Sequence, residues 1–263
     1  MPRIVATGDN LNERNKEFVQ RRLQQPVFLN SVPKCGTHLV RNIMRMFVPV
    51  DQQYHRAFIQ HAILREHQAA FSEMMPQLSW GHLLFSDDAA IVLRHVHHLV
   101  QVRDPHDWVL ARARFFLSDT FQGSLEHLKG GNVSVDEVIN MMIFGVHGKA
   151  PSLTEVFTHN AVSWMGTKAR ILKFEDLLDH VRNLETPAAE TFFAGLLSDC
   201  GMGDLPPDWR ERVRVGSDRR QSGTARENLA GGDQLQVPDK LTDQQKALVE
   251  YAAPGLRAVL GYA

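Results

Sequence analysis

Val27-Phe28-Leu29-Asn30-Ser31-Val32-Pro33-Lys34-Cys35-Gly36-Thr37-His38-Leu39 is the most informative segment of this chain. Its first residues have the apolar pattern of a buried strand, and a short basic turn with one glycine follows. Beyond the turn, Leu39, Ile43 and Phe47 repeat with the spacing of an amphipathic helix that Pro49 closes. The same spacing predicts that three polar residues of this helix face away from the core: Arg41, Asn42 and Arg45.

The turn between the predicted strand and helix indicates an anion-binding site. Backbone N–H groups at a helix start lack intrahelical acceptors, and the helix dipole adds partial positive charge. Lys34 adds a full charge, so a phosphate or sulfate group fits this turn. The turn differs from the G-x-x-x-x-G-K-[ST] loop of nucleotide kinases, because Lys34 precedes the single glycine, Gly36. The alternative is an ordinary strand-to-helix turn with a solvated lysine.

Two further segments combine an apolar strand pattern with a charged turn. Leu99-Val100-Gln101-Val102 leads into Arg103-Asp104-Pro105-His106-Asp107 and an apolar helix from Trp108 to Leu117, and Ile171-Leu172-Lys173-Phe174 leads into Glu175-Asp176. Alternating strands and helices predict an α/β fold with a central parallel sheet flanked by helices, and a ligand at the carboxyl ends of the strands. No linker or repeat interrupts the chain, so we expect a single domain over residues 1–263.

Four segments resemble, in order, the motifs of sulfotransferases that use 3′-phosphoadenosine 5′-phosphosulfate (PAPS). Pro33-Lys34-Cys35-Gly36-Thr37 resembles the P-K-[ST]-G-T loop, and the Arg103 turn resembles the R-D-P-x-D turn. The Ile171 segment is similar to the strand that ends in Y-E-D-L, and Arg219-Arg220-Gln221-Ser222-Gly223 is similar to the start of the C-terminal R-K-G loop. The resemblance implies the sulfotransferase-like fold of the P-loop-containing nucleotide-binding type.

The resemblance also implies PAPS as co-substrate and 3′,5′-adenosine bisphosphate (PAP) as product. It assigns the 5′-phosphosulfate to the first loop, and the 3′-phosphate to Arg103 and the C-terminal loop. A guanidinium suits that role because its planar fork makes bidentate, charge-assisted bonds to phosphate oxygens. The Arg103 turn by itself also allows an alternative to phosphate binding, in which Asp104 caps the helix and Arg103 forms a surface ion pair. The implied binding residues are Lys34, Cys35, Gly36, Thr37, His38, Arg103, Arg219, Arg220, Ser222 and Gly223.

The family places a strand-end histidine between the two phosphate motifs, and Ser79-Trp80-Gly81-His82 matches that pattern. The resemblance therefore implies His82 as the general base that deprotonates a hydroxyl or amine acceptor. The implied reaction is an in-line displacement at sulfur, in which Lys34 stabilises the departing phosphate. The alternative role for His82 is a buried structural imidazole.

Four positions depart from the family's pattern. A serine often follows the phosphate-gripping arginine by eight residues, where this chain has Ala111; Arg112 and Arg114 are close enough in sequence to compensate. The adenine-stacking tryptophan of some members is Leu39 here, and the lysine two residues before the histidine is Trp80. After Gly223, the usual second glycine and tryptophan are missing. The adenine contact and the cover of the 3′-phosphate therefore cannot be assigned by resemblance.

Composition argues against several other classes of function. A net charge of -1 without a basic stripe argues against nucleic acid and anionic membranes as partners. The sequence has no apolar run of about eighteen residues and no signal peptide, so we expect a cytoplasmic protein without a transmembrane segment. We expect no metal site, since strand alternation would separate His95 and His97 from His98, and no disulfide between Cys35 and Cys200.

The expected acceptor is a small molecule or lipid, and a homo-oligomer is compatible with the sequence. Residues 52–75 read as a helical stretch that Pro76 ends, and Ser134, Ser152 and Thr242 open capping boxes of further helices. Methionine and phenylalanine in these stretches favour an apolar acceptor over a sugar. Two alternatives stay open: a P-loop kinase acting on a small molecule, which would require magnesium, and a non-catalytic nucleotide-binding or scaffold protein with this fold.

Overall fold

The computed structural model describes residues 3–4, 8–118, 121–122, 125–129, 131–221 and 236–262. Their strands are β1 (Arg3–Ile4), β2 (Val27–Ser31), β3 (Ile59–Gln60), β4 (Leu78–His82), β5 (His97–Val102), β6 (Phe121–Gln122) and β7 (Arg170–Lys173). Their helices are α1 (Leu11–Asn15), α2 (Thr37–Arg45), α3 (Asp87–Val92), α4 (Pro105–Leu117), α5 (Val135–Phe144), α6 (Leu153–Asn160), α7 (Phe174–Arg182), α8 (Pro187–Asp199), α9 (Trp209–Ser217), α10 (Asp243–Ala252) and α11 (Leu256–Val259). The 3₁₀ helices include His61–Phe71, Val162–Trp164 and Arg219–Gln221.

A parallel sheet of five strands, in the order β3-β4-β2-β5-β7, is the centre of one compact unit. This unit, the sheet unit, comprises Asp9–Val102 and His159–Gln221. Pairing of Asn30 with Gly81 and of Ser31 with Gln101 brings the carboxyl ends of β4, β2 and β5 level. From β2 the chain proceeds to β3 and β4 on one side, and then to β5 and β7 on the other. The end of β2 is therefore the topological switch point, where ligands bind in open α/β sheets.

Apolar side chains cover both faces of this sheet. All five residues of β2 are buried, which is typical of a parallel strand covered on both sides. On one face Leu29, Trp80 and Leu172 belong to a core that includes residues of α2, α7, α8 and α9. On the opposite face Phe28 contacts Phe71, from the 3₁₀ helix that follows β3. The predicted α/β class, a central parallel sheet flanked by helices, is confirmed.

The second compact unit comprises the described residues of Met1–Gly8, Arg103–Thr158 and Ser222–Ala263. Within it, β1 pairs with β6 in antiparallel orientation. Asp104 caps α4 by accepting a hydrogen bond from the His106 N–H, and it also pairs with Arg257 of α11 at 2.9 Å. The capping boxes predicted at Ser134 and Thr242 are both present. The single domain predicted for residues 1–263 stays a prediction.

Arg112 and Arg114 donate hydrogen bonds to backbone carbonyls of this second unit. Arg112 is buried, and its guanidinium donates to the carbonyls of Met142 (3.2 Å) and Pro151 (2.8 Å). Arg114 donates to the Pro238 carbonyl at 2.7 Å. Both side chains thus have structural roles, which does not support the idea that they compensate for Ala111.

The helix predicted for residues 52–75 is wrong as a continuous element. β3 interrupts it, and residues 61–71 form a 3₁₀ helix that is broken at His67. Sequence periodicity missed β3 because a two-residue strand has no detectable alternation. The strand fits against β4 because residue 81 is glycine: a Cβ there would overlap the Ile59 carbonyl.

The outward orientation predicted for Arg45 and Asn42 is also wrong. Arg45 is 2% exposed, and its guanidinium donates to Asp9 (2.9 Å) and to the Gln53 side-chain carbonyl (2.9 Å). Asn42 is likewise buried. Helical periodicity identifies the apolar face of α2 but does not reveal polar partners that lie far away in sequence. Within the described ranges, no helix combines the length and the apolar character needed to cross a bilayer.

Gly81→Ala should destabilise the sheet unit, because the added methyl group would overlap the backbone of β3. We expect a loss of about 1–3 kcal/mol in the free energy of unfolding, measured by urea denaturation. The control is Gly195→Ala in α8, where a Cβ has open space. That substitution should increase stability by about 0.5–1 kcal/mol. Equal stability of the two variants would contradict the close approach of β3 to β4.

Candidate active site

The turn after β2 has the geometry of an anion-binding loop. Lys34 and Gly36 both adopt left-handed backbone conformations, with φ of 68° and 87°. Gly36 is the N-cap of α2 and provides no side-chain cap. In the described residues, the N–H groups of Thr37 and His38 have no protein acceptor. Two amides at a helix N-terminus are thus available for an anion, beside the ammonium-bearing Lys34.

Hydrogen bonds join this loop to the end of β4. The Ser31 and Thr37 hydroxyls lie 2.6 Å apart, which ties the last residue of β2 to the first residue of α2. The Asn30 side chain accepts from the Leu83 N–H (2.9 Å) and donates to the Leu83 carbonyl (3.0 Å). The neighbouring His82 is thereby held at a fixed position relative to the loop.

The contacts of His82 favour one tautomer. Its Nδ1 lies 2.9 Å from the Ser31 carbonyl oxygen, which only accepts, and 3.1 Å from the Ser31 hydroxyl, which can accept as well as donate. A proton on Nδ1 suits both contacts. Nε2 therefore keeps its lone pair and can act as a base. Burial lowers the pKa of His82 to about 4; the hydrogen bond to Ser31 opposes this shift, and the positive charge of Lys34 adds to it. The Phe58 ring packs edge-on against the imidazole, with the centroids 4.7 Å apart.

Positive charge is concentrated around the loop. Burial and, to a smaller extent, the electrostatic effects of Arg41, Lys34 and His82 together lower the pKa of His38 to about 4, although Asp9 opposes the shift. Burial and the nearby Arg45 lower the pKa of Arg41 to about 10. Mutual repulsion of this kind favours an anionic ligand, because a bound anion would offset both the repulsion and the loss of hydration.

The sheet unit brings together five of the predicted site residues, namely Lys34, Gly36, Thr37, His38 and His82. Cys35 is fully buried within the same loop. A Cβ on Gly36 would overlap the Phe174 ring, so the residue that follows β7 packs directly against the loop.

The remaining predicted site residues are Arg103, Arg219, Arg220, Ser222 and Gly223. Arg103 directly follows β5 in the chain and is the first residue of the second unit's Arg103–Thr158 segment. Arg219 and Arg220 are exposed on a short 3₁₀ helix, where Arg220 pairs with Asp218 at 2.7 Å. This helix is attached to α2 by a hydrogen bond from Asn42 Nδ2 to the Gln221 carbonyl (3.3 Å). Ser222 and Gly223 lie outside the described residues. A 3′-phosphate role for these residues stays a prediction.

Sequence reasoning missed three residues of the site. Asn30 and Ser31 are polar residues at the end of a strongly apolar strand, a signal that the sequence did contain. Arg41 was expected to face away from the core, but its guanidinium stacks on Trp80 at 4.1 Å from the ring centroid. No local pattern predicts that contact, because it joins α2 to β4.

No protein-family model and no curated protein sequence matches the chain. Among solved structures, the crystal structure of mouse sulfotransferase SULT7A1 complexed with PAP matches 91% of this chain and 77% of its own, with a TM-score of 0.52 and 13% identity. The chain has the sulfotransferase fold. A second match is the crystal structure of retinol dehydratase in complex with androsterone and the inactive cofactor PAP, over 88% of this chain and 80% of its own. Its TM-score is 0.55 and its identity is 13%. The fold that the four motifs implied is confirmed.

The tautomer and pKa of His82 can be measured directly. In the free protein at pH 6, nitrogen-15 NMR should show a neutral imidazole with a protonated Nδ1 and a bare Nε2, because the pKa is lowered to about 4. His82→Asn identifies the resonance. A charged ring at that pH, or a proton on Nε2, would contradict the hydrogen bond to Ser31.

Proposed function

We propose that this protein is a PAPS-dependent sulfotransferase that transfers a sulfuryl group to a hydroxyl or amine of a small-molecule or lipid acceptor. The observation that supports the proposal is the coupling of His82 to the loop through Ser31, which holds the imidazole near an uncapped helix N-terminus. The sulfotransferase fold supports it, and so does PAP in the two matching structures.

The residues of the loop fit the 5′-phosphosulfate of this co-substrate. The free N–H groups of Thr37 and His38 would donate to its oxygens, and Lys34 would supply an ammonium charge. Arg103 would bind the 3′-phosphate, and the segment from Arg219 to Gly223 would cover it. PAPS, when bound, supplies an activated sulfuryl group on a phosphate leaving group.

His82 is the general base of the proposed reaction. Its Nε2 accepts the proton of the acceptor hydroxyl while the acceptor oxygen forms a bond to sulfur. The sulfur–oxygen bond to the 5′-phosphate breaks, and its electron pair leaves with that phosphate, where Lys34 and the loop amides stabilise the charge. A sulfuryl group carries less negative charge than a phosphoryl group, so fixed cations and amides can serve where kinases use magnesium.

The low pKa of His82 is compatible with this role. Without a ligand, burial and Lys34 keep the imidazole neutral and weakly basic. An anionic co-substrate beside the ring would raise its pKa, because a nearby negative charge stabilises the imidazolium form. Binding of the donor thus activates the base.

The two alternatives differ from the proposal in measurable ways. A small-molecule kinase would require magnesium and a nucleoside triphosphate for transfer. A non-catalytic protein with this fold would bind PAP without turnover. A cytoplasmic location and a possible homo-oligomer stay predictions from the sequence.

Two substitutions should separate donor binding from chemistry. Lys34→Ala should weaken PAP binding in calorimetry by about tenfold or more, because it removes a charge from the loop. His82→Asn should keep PAP affinity nearly intact and lower transfer from labelled PAPS by about 100-fold or more.

The control for both is His147→Asn, since His147 is exposed in the second unit. It should leave binding and transfer unchanged. Unchanged donor affinity in Lys34→Ala would remove the loop from the site. A fully active His82→Asn enzyme would indicate His38, or an acceptor that needs no protein base.

Arg103→Ala should reduce discrimination between PAPS and adenosine 5′-phosphosulfate, which lacks the 3′-phosphate. Loss of a bidentate contact should cost about 2–5 kcal/mol of PAPS binding and leave the smaller donor nearly unaffected. Competition calorimetry with both nucleotides measures the difference. Equal weakening of both would show that Arg103 supports the fold rather than the 3′-phosphate.

A further inference from the structure

Arg41 of α2 carries a charge that the proposed reaction leaves unused. In the part of the chain that the structure describes, no group accepts a hydrogen bond from its guanidinium and no carboxylate pairs with it, and its Nε is buried without a partner. The guanidinium stacks on Trp80, 4.1 Å from the ring centroid. A half-buried guanidinium without an acceptor is costly, and an anionic ligand would offset that cost.

Asp9, the carboxylate that acts electrostatically on Arg41, already accepts hydrogen bonds from other groups. Asp9 influences Arg41 electrostatically, but its carboxylate accepts from Arg45 Nη1 (2.9 Å) and from the Leu11 N–H (3.0 Å). Arg45 is hydrogen-bonded to this carboxylate, whereas Arg41 interacts with it only through space. The other groups that interact electrostatically with Arg41 are Arg45 and the imidazoles of His38 and His55, none of which is an anion.

The surroundings of Arg41 continue from those of the proposed base. Trp80 and His82 are two residues apart on β4, so their side chains lie on the same face of the strand. His55 packs against Trp80, with the centroids 5.9 Å apart, and Phe58 packs against His82 at 4.7 Å. One apolar, aromatic strip therefore extends from the base to the guanidinium, and His55 at its end is exposed.

Helix geometry directs Arg41 toward the same end of the sheet. Side chains on a helix tilt toward its N-terminus, so Arg41 extends toward the turn that contains the loop. The loop already provides Lys34 and two free amides for the donor. The guanidinium of Arg41, which stacks on Trp80, is therefore available to the acceptor, the second substrate of the proposed reaction.

We propose that Arg41 binds an anionic group, a carboxylate in the simplest case, on the acceptor molecule. The acceptor would be an amphiphile, with its hydroxyl or amine at His82, an apolar body on Phe58, and its charged group on the guanidinium. This inference rests on the proposed function and narrows the predicted small-molecule or lipid acceptor to an acidic one. Trp80 orients the guanidinium by stacking and leaves its in-plane N–H donors for the ligand.

Matched acid and amide probes test this assignment. We would use ω-hydroxy fatty acids of short, medium and long chain, together with their primary amides, at neutral pH. For one chain length or more, the wild-type protein should bind the acid at least about tenfold more tightly than its amide in calorimetry, and should transfer to it with a correspondingly higher kcat/KM. Arg41→Met should reduce this acid preference to nearly one, and Arg41→Lys should retain part of it.

The control substitution is Arg65→Met. The Arg65 side chain is 80% exposed and pairs with Asp88, so its loss should leave the acid preference unchanged. Thermal melting verifies that each variant is folded. Arg41→Met should lower the affinity for the acid by a larger factor than the affinities for PAP and PAPS.

Three results would overturn the assignment. The first is equal binding of acid and amide by the wild type at every chain length, and the second is an acid preference that Arg41→Met keeps. The third is a loss of PAPS affinity in Arg41→Met with an unchanged acid preference, which would assign Arg41 to the donor. Failure of transfer to every acceptor would contradict the sulfotransferase proposal instead, while the binding measurement still reports on Arg41.

Discussion

The hydrogen bond from His82 Nδ1 to the Ser31 carbonyl is the interaction on which the candidate site depends. It forms because β2 and β4 are parallel neighbours whose carboxyl ends are level, and Asn30 fixes that alignment through Leu83. The same Ser31 contacts Thr37 at the start of α2. The loop, the imidazole and the switch point of the sheet are thus connected by one set of hydrogen bonds.

The cost of this arrangement is electrostatic. Lys34 and Arg41 act on the neighbouring imidazoles, and burial depresses the pKa values of His38, Arg41 and His82. Anions that bind the folded protein therefore stabilise it through mass action, in addition to any role in catalysis. The paired Arg45, by contrast, serves the fold, since Asp9 and Gln53 satisfy its donors.

Most of the fold could be predicted because its signals are local. The apolar run of β2, the turn at Gly36 and the period of α2 are each visible within a dozen residues, and order along the chain implied the parallel sheet. The wrong predictions concern features that depend on residues far apart in sequence. The close approach of β3 to β4 depends on Gly81, the burial of Arg45 depends on its pairing with Asp9, and the position of Arg41 depends on stacking against Trp80. In the site, the loop and His82 were accessible through motifs. The polarity of Asn30 and Ser31 at the end of an apolar strand was visible in the sequence, but their hydrogen-bond partners Leu83, Thr37 and His82 were not.

The left-handed backbone of Lys34 has a consequence for evolution and engineering. A residue with a Cβ pays a conformational penalty at a φ of 68°, and glycine would not. Lys34→Gly would therefore relax the backbone and remove the ammonium group in a single step. Relief of the backbone penalty and loss of the ammonium group are thus linked at this position, so a substitution chosen for stability would also change the chemistry of the loop.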